Sequence, residues 1–114
     1  MTNLTSSNEP LVFSIKEHAQ HCVSRWEGEA VRGKIIELHQ ATESSRRIVI
    51  DAALVEVMTP SFADECFGRL ASALGLPLFK QRFTVRTERQ EIRDLISSVI
   101  RNRIALDSNS KQSA

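Results

Sequence analysis

Arg47-Ile48-Val49-Ile50-Asp51, followed after a short segment by Thr59-Pro60-Ser61-Phe62-Ala63-Asp64-Glu65, is the stretch whose reading decides the fold. Three consecutive β-branched apolar residues without polar alternation predict a strand covered on both faces. Asp51 ends that strand, where a buried strand of an α/β sheet emerges at its functional edge. The second segment is a helix start. Thr59 and Ser61 are N-cap residue types, and Pro60 suits a first helical turn. Asp64 and Glu65 then face the positive end of the helix dipole. The helix continues through Cys66, Phe67, Leu70, Ala71 and Leu74. Gly75 is expected to stop it and Pro77 to keep it from resuming. Between strand and helix, Leu54-Val55-Glu56-Val57-Met58 reads as a second short extended piece or an ordered loop.

Working outward, Leu11-Val12-Phe13-Ser14-Ile15 is β-rich and short enough for a strand. Ser24 followed by Glu27 forms a capping box, and Val31, Ile35 and Leu38 continue it as a helix with one core-facing stripe. Gly28 and Gly33 weaken that helix by up to about 1 kcal/mol each relative to Ala, and are expected to let it pack closely against a sheet. Downstream, Arg82-Phe83-Thr84-Val85-Arg86 alternates as a half-exposed strand does. Thr87 and Gln90 have capping-box spacing, and Ile92, Leu95, Ile96, Val99, Ile100 and Ile104 form an amphipathic stripe. The predicted order is β, α, β, short β, α, β, α. It implies an α/β fold: a small single-layer sheet of about four strands packed with three helices. Residues 1–10 are expected to be a flexible lead, 11–106 the domain, and 107–114 a disordered tail.

Fifteen basic residues against fourteen acidic ones leave a net charge of +1, which removes the usual electrostatic signature of a nucleic-acid binder. No apolar run approaches the roughly 18 residues that cross a bilayer. The polar N-terminus lacks a basic start and an apolar core, so no export signal is expected and a cytoplasmic location follows. Cys22 and Cys66 have no CxxC spacing and read as reduced thiols. Cys66, among Phe62, Phe67 and Leu70, reads as a core residue rather than a nucleophile. His18, His21 and Cys22 stand at i, i+3 and i+4, but no second cluster completes a metal site. Asp64 and Glu65 are adjacent, so on a helix they point about 100° apart and do not converge as an acid/base pair. Trp26 reads as a core or staple residue. No catalytic residue, metal or cofactor is expected. Lys80, Arg82, Arg86, Arg89, Arg93, Arg101 and Arg103 make the C-terminal third locally basic. That third reads as a solvated face, and supplies the alternative of a nucleic-acid-associated factor.

The buried strand ending in Asp51, the segment Val55-Glu56-Val57-Met58, and the turn Thr59-Pro60-Ser61 opening into Phe62-Ala63-Asp64-Glu65 together resemble the STAS-like domain family, which is related to the anti-sigma factor antagonists. Ser24-Arg25 upstream and Arg86-Thr87 before a long terminal helix fit the same pattern. The resemblance implies a bacterial, non-enzymatic regulator that works by docking to a protein partner, such as a histidine-kinase-like ATPase. It places the partner-binding residues at Asp51, Met58, Thr59, Pro60, Ser61, Phe62 and Glu65. In the antagonists the turn reads Asp-Ser-Ser-Gly and its first serine is phosphorylated. Here that serine falls on Pro60, so the phosphoserine switch does not transfer. Ser61 and Thr59 remain the two hydroxyls at the turn open to phosphorylation, beside a helix N-terminus that favours phosphate.

Overall fold

The computed structural model describes residues 9–113, with side chains through Ser108. The expected lead through residue 8 lies outside the described residues. Strand β1 (Leu11–Ser14) runs into a 3-10 turn (Ile15–Glu17), then a loop, then helix α1 (Arg25–Ala41). Strand β2 (Ile48–Asp51) leads through an irregular segment to a helix in three parts: Pro60–Ala63, a π-helical Asp64–Gly68, and Arg69–Leu74, together α2. Helix α3 (Leu76–Arg82), strand β3 (Phe83–Arg86) and helix α4 (Gln90–Ser113) complete the chain.

The sheet has three strands, all parallel, in the order β1-β2-β3. Among the described residues there are three strands rather than four, because Leu54 to Met58 pairs with no strand and forms the irregular link to α2. Four helices rather than three result because Pro77 does not block a helix. It occupies the first turn of α3, where its missing N–H is no loss. Gly75 separates α2 from α3 with φ 87°, a backbone conformation that side-chain-bearing residues rarely adopt. The tail expected from Asp107 is helical instead, since α4 runs on to Ser113.

Strand order explains a second departure from expectation. Parallel crossovers are right-handed, and two successive ones stepping the same way across a sheet put their helices on the same face. Leu11, Ile48 and Phe83 share one register row, and Phe13, Ile50 and Val85 the next. Phe13, Ile48, Ile50 and Phe83 are buried there against the helices. The opposite face is not covered: Val12 is 56 % exposed, Val49 and Asp51 are half-buried, and Thr84 and Arg86 are exposed. The strand expected to be covered on both sides therefore buries Ile48 and Ile50 only on one.

The caps form largely where the local pattern placed them. Ser24 Oγ accepts from Glu27 N–H at 3.1 Å, and Glu27 returns a carboxylate oxygen to Ser24 N–H. Thr59 Oγ1 accepts from Phe62 N–H at 3.2 Å. Thr87 is the exception: its hydroxyl accepts from Arg89 N–H in a local turn, and α4 begins later, at Gln90. Gly28 does allow a close approach, but to α2 rather than to the sheet. A Cβ there would stand 2.7 Å from the Phe62 carbonyl oxygen and 3.0 Å from Glu65 Cβ. At the far end of α1, Arg82 is almost fully buried and its guanidinium donates to the carbonyls of His39, Thr42, Glu43 and Arg46. One arginine thereby satisfies the His39 and Thr42 carbonyls, which the helix end leaves without intrahelical donors, and ties the following loop to it.

Candidate functional site

The expected turn lies beyond the C-terminal end of β2, beside the loop that follows β1. Asp51 closes β2 and accepts from Ala53 N–H at 2.9 Å and from Arg86 Nη2, on β3, at 2.7 Å. The Arg86 hydrogen bond, joined by that of Ala53, holds the Asp51 carboxyl below the usual carboxylate range. Thr59 then ties the two loops together. Its N–H donates to the Cys22 carbonyl at 3.0 Å, and its hydroxyl donates to the Val23 carbonyl at 2.7 Å.

These contacts divide the predicted site residues into two groups. Pro60 and Ser61 are exposed, while Asp51 and Thr59 are half-buried. Met58 and Phe62 are buried, Phe62 completely, so neither belongs to a docking surface. The reason is the local geometry. Met58 ends an irregular segment that turns inward, and Phe62, on the first turn of α2, puts its side chain in the core.

The apolar surface at this edge comes from residues that sequence reasoning did not assign to the site. Leu54 is 70 % and Val57 67 % exposed, and both line an open recess of about 420 Å³ with Val23, His21 and Lys16. Val55 and Met58 are buried instead, while Leu54, Glu56 and Val57 are exposed as the segment turns the corner. Trp26, expected in the core, is 75 % exposed. It lies on the second residue of α1, on the side away from buried Gly28, Val31 and Ile35. The apolar spacing of Gly28, Val31 and Ile35 carries the signal: continued backward at 100° per residue, it puts Trp26 on the opposite face.

Behind the turn, Asp64 and Glu65 hold a network rather than merely opposing a dipole. Arg25 Nη1 reaches Asp64 at 2.9 Å and Glu65 at 3.1 Å, so a long side chain bridges two carboxylates that adjacent helical positions would spread apart. Arg32 donates to Glu65 at 3.0 Å, Arg69 to Glu65 at 3.1 Å, and Arg103, from α4, to Asp64 at 3.2 Å. Burial pushes both carboxyls up, but the arginine hydrogen bonds outweigh it and hold both below their ordinary values. The carboxylates sit at a π-helical turn, an irregularity that recurs at functional sites. Glu65 is therefore a joint between α1 and α2, and not a free contact for a partner.

The thiols are not poised for chemistry. Cys66 is fully buried and its thiol is pushed well up by that burial. Burial also raises the Cys22 thiol, to about 11, against the opposing pull of Lys16. His18 lies stacked on Phe13, ring centroids 4.4 Å apart. Among the described residues no group of three or more His, Cys, Asp or Glu side chains is arranged to hold a metal ion, and no helix is long and apolar enough to cross a membrane.

A one-sided parallel sheet, with a capped turn and an open recess at its strand ends, defines a small α/β domain. The chain belongs to the STAS-like domain family: residues 27–93, more than half of it, match the family described as a STAS-like domain of unknown function. The match takes in Asp51, the turn, Asp64, Glu65 and Arg82, and leaves β1, Trp26 and most of α4 outside. No curated protein and no solved structure matches the chain.

Proposed function

We propose that the chain is a non-enzymatic bacterial regulatory module of the cytoplasm. It docks to a protein partner through the exposed part of the turn, Pro60 and Ser61, together with Val23, Trp26, Leu54 and Val57. The partner is of the type the family resemblance implies, a histidine-kinase-like ATPase or anti-sigma-type protein. The observation that carries the reading is the exposure of Leu54 and Val57, which line the recess with Val23 next to the turn, while Trp26 stands exposed at the start of α1. Large apolar side chains grouped on an otherwise polar surface mark interaction sites, and tryptophan is enriched among interface hot spots. Thr59 supports the surface from behind. With its hydroxyl already shared between the Val23 carbonyl and the Phe62 N–H, it is a structural cap. Ser61 is exposed at the second helical position, so of the two hydroxyls it is the better placed for modification. A phosphate there would sit at the positive end of the helix dipole, with Pro60 lacking an N–H and those of Phe62 and Ala63 already held by Thr59.

The test is titration calorimetry of the chain against histidine-kinase-like ATPases from the same host, with co-purification to find the cognate one. One-to-one binding is expected, weakened at least tenfold by Leu54→Asp with Val57→Asp and by Trp26→Ala, while circular dichroism stays unchanged. Ser61→Asp is expected to weaken binding as well. Variants that bind as tightly as the wild type sink the proposed surface.

A further inference from the structure

A second feature lies along α3, β3 and α4. Helices α3 and α4 and strand β3 enclose an apolar groove of about 620 Å³, floored by Leu76, Phe79, Val85, Ile96, Ile100 and Ile104. Strand β3 is the last strand of the sheet, so no strand covers its outer edge there. Arg93, Arg101 and Lys80 line the groove, and no acidic residue does.

These three cations differ from others on the helices. Arg32, Lys34 and Arg69 each have a carboxylate partner three or four residues away. Around Lys80, Arg93 and Arg101 the positions three and four residues away hold no Asp or Glu. Among the described residues none of the three takes part in an ion pair, whereas Arg25, Arg86, Arg89 and Arg103 do. Arg93 is held in place by the Thr87 carbonyl, which leaves its charge uncompensated.

We propose that this groove binds an acidic amphipathic helix of a partner protein, with apolar residues against the floor and Asp or Glu against Arg93, Arg101 and Lys80. Charge complementarity and shape select this occupant. The groove follows α4 from Arg93 to Ala105, about 18 Å at 1.5 Å per residue, the length of some three helical turns. Arg93 and Arg101 are eight residues apart, about 12 Å along that axis. One anionic headgroup cannot satisfy both, but carboxylates two turns apart on a helix can. A second copy of this chain would set the same cations against themselves. Strand addition is limited, because β3 has four residues and the Thr87 carbonyl beyond it is taken by Arg93.

The probe is a fluorescein-labelled 14-residue helical peptide with Leu at i, i+3, i+4 and i+7 and Glu on the flanks, followed by anisotropy on the full chain. Saturable binding is expected, weakened at least tenfold by Lys80→Glu with Arg101→Glu, and absent for the same peptide with Lys in place of Glu. Amide chemical-shift changes should cluster at Phe79, Val85, Ile100 and Ile104 and spare Leu54, Val57 and Ser61. This keeps the result separate from docking at the turn. No binding up to millimolar peptide overturns the proposal, as does binding that survives the double charge reversal. Saturable binding of dodecanoate or of a single-stranded oligonucleotide at this groove in place of the peptide also overturns it. So does a dimer in sedimentation that Lys80→Glu with Arg101→Glu dissolves.

Discussion

The α1/α2/α4 junction and the α3/β3/α4 groove are both rich in basic residues, yet they use them in opposite ways. At the junction Arg25, Arg32, Arg69 and Arg103 converge on Asp64 and Glu65, and the positive charge is neutralised within the molecule. Arg82, near the groove in sequence, is buried against backbone carbonyls. Among the described residues, Lys80, Arg93 and Arg101 meet no carboxylate. A net charge of +1 conceals this division, because the average counts a cation holding two helices together and a cation facing solvent alike. The position of each basic residue relative to carboxylates distant in sequence, not the abundance of Arg, decides which surface is available to a partner.

The strongest way to break the contrast is to remove a cation from the interior. Arg82→Ala removes the donors to carbonyls at the end of α1 and in the loop after it, and should lower stability by about 3–5 kcal/mol in urea unfolding. Arg82→Lys should recover little of it, because an ammonium cannot reproduce the planar fork. If Arg82→Lys behaves like the wild type, the carbonyl cap does not need a guanidinium.

Next in size are the junction carboxylates. Glu65→Gln and Asp64→Asn should each cost about 1–3 kcal/mol, the range for charge-assisted hydrogen bonds that are partly shielded from water. Because Asp64 and Glu65 share Arg25, the double variant should cost measurably less or more than the sum. Strict additivity would show that the two carboxylates act independently.

The same junction predicts a pH dependence of defined sign. Asp64 and Glu65 titrate below their ordinary values in the folded protein. Their contribution is therefore present above the unfolded carboxylate range near pH 4 and is lost as pH falls through the folded values. Unfolding midpoints should drop between about pH 5 and pH 3, and less steeply in Asp64→Asn with Glu65→Gln. A slope unchanged by those substitutions would assign the acid sensitivity to other groups.

The smallest expected effect sharpens the contrast from the other side. Lys80→Glu with Arg101→Glu changes two exposed side chains with no ion-pair partner, so stability should stay within about 0.5 kcal/mol per site. A larger loss would mean that these cations hold the fold after all.

Much of the fold was legible locally. The Ser24–Glu27 box, the Thr59 cap, the 3.6-residue stripes of α1 and α4 and the β-branched run of β2 all act within a few residues, where periodicity and capping chemistry operate. Pro77 was misread because a proline both ends one helix and begins another, and only the path after Gly75 separates the two. The candidate site was half legible. Pro60, Ser61 and Thr59 are where the pattern placed them, but Met58 and Phe62 face inward and Trp26 outward.

By itself the sequence determined α1, α2, most of α4, the strands β1 to β3, the Ser24 and Thr59 caps and the family to which the chain belongs. Tertiary structure alone decided the rest. The strand order β1-β2-β3 put the helices on one face, as successive right-handed crossovers require, and left Val12, Val49 and Thr84 on an uncovered one. It also decided which charges are neutralised. Arg103 meets Asp64 across 39 positions, and Arg82 meets partners 36 to 43 positions away. Periodicity read over one or two helical turns carries no information about pairs that far apart, because folding, not spacing, brings them into contact.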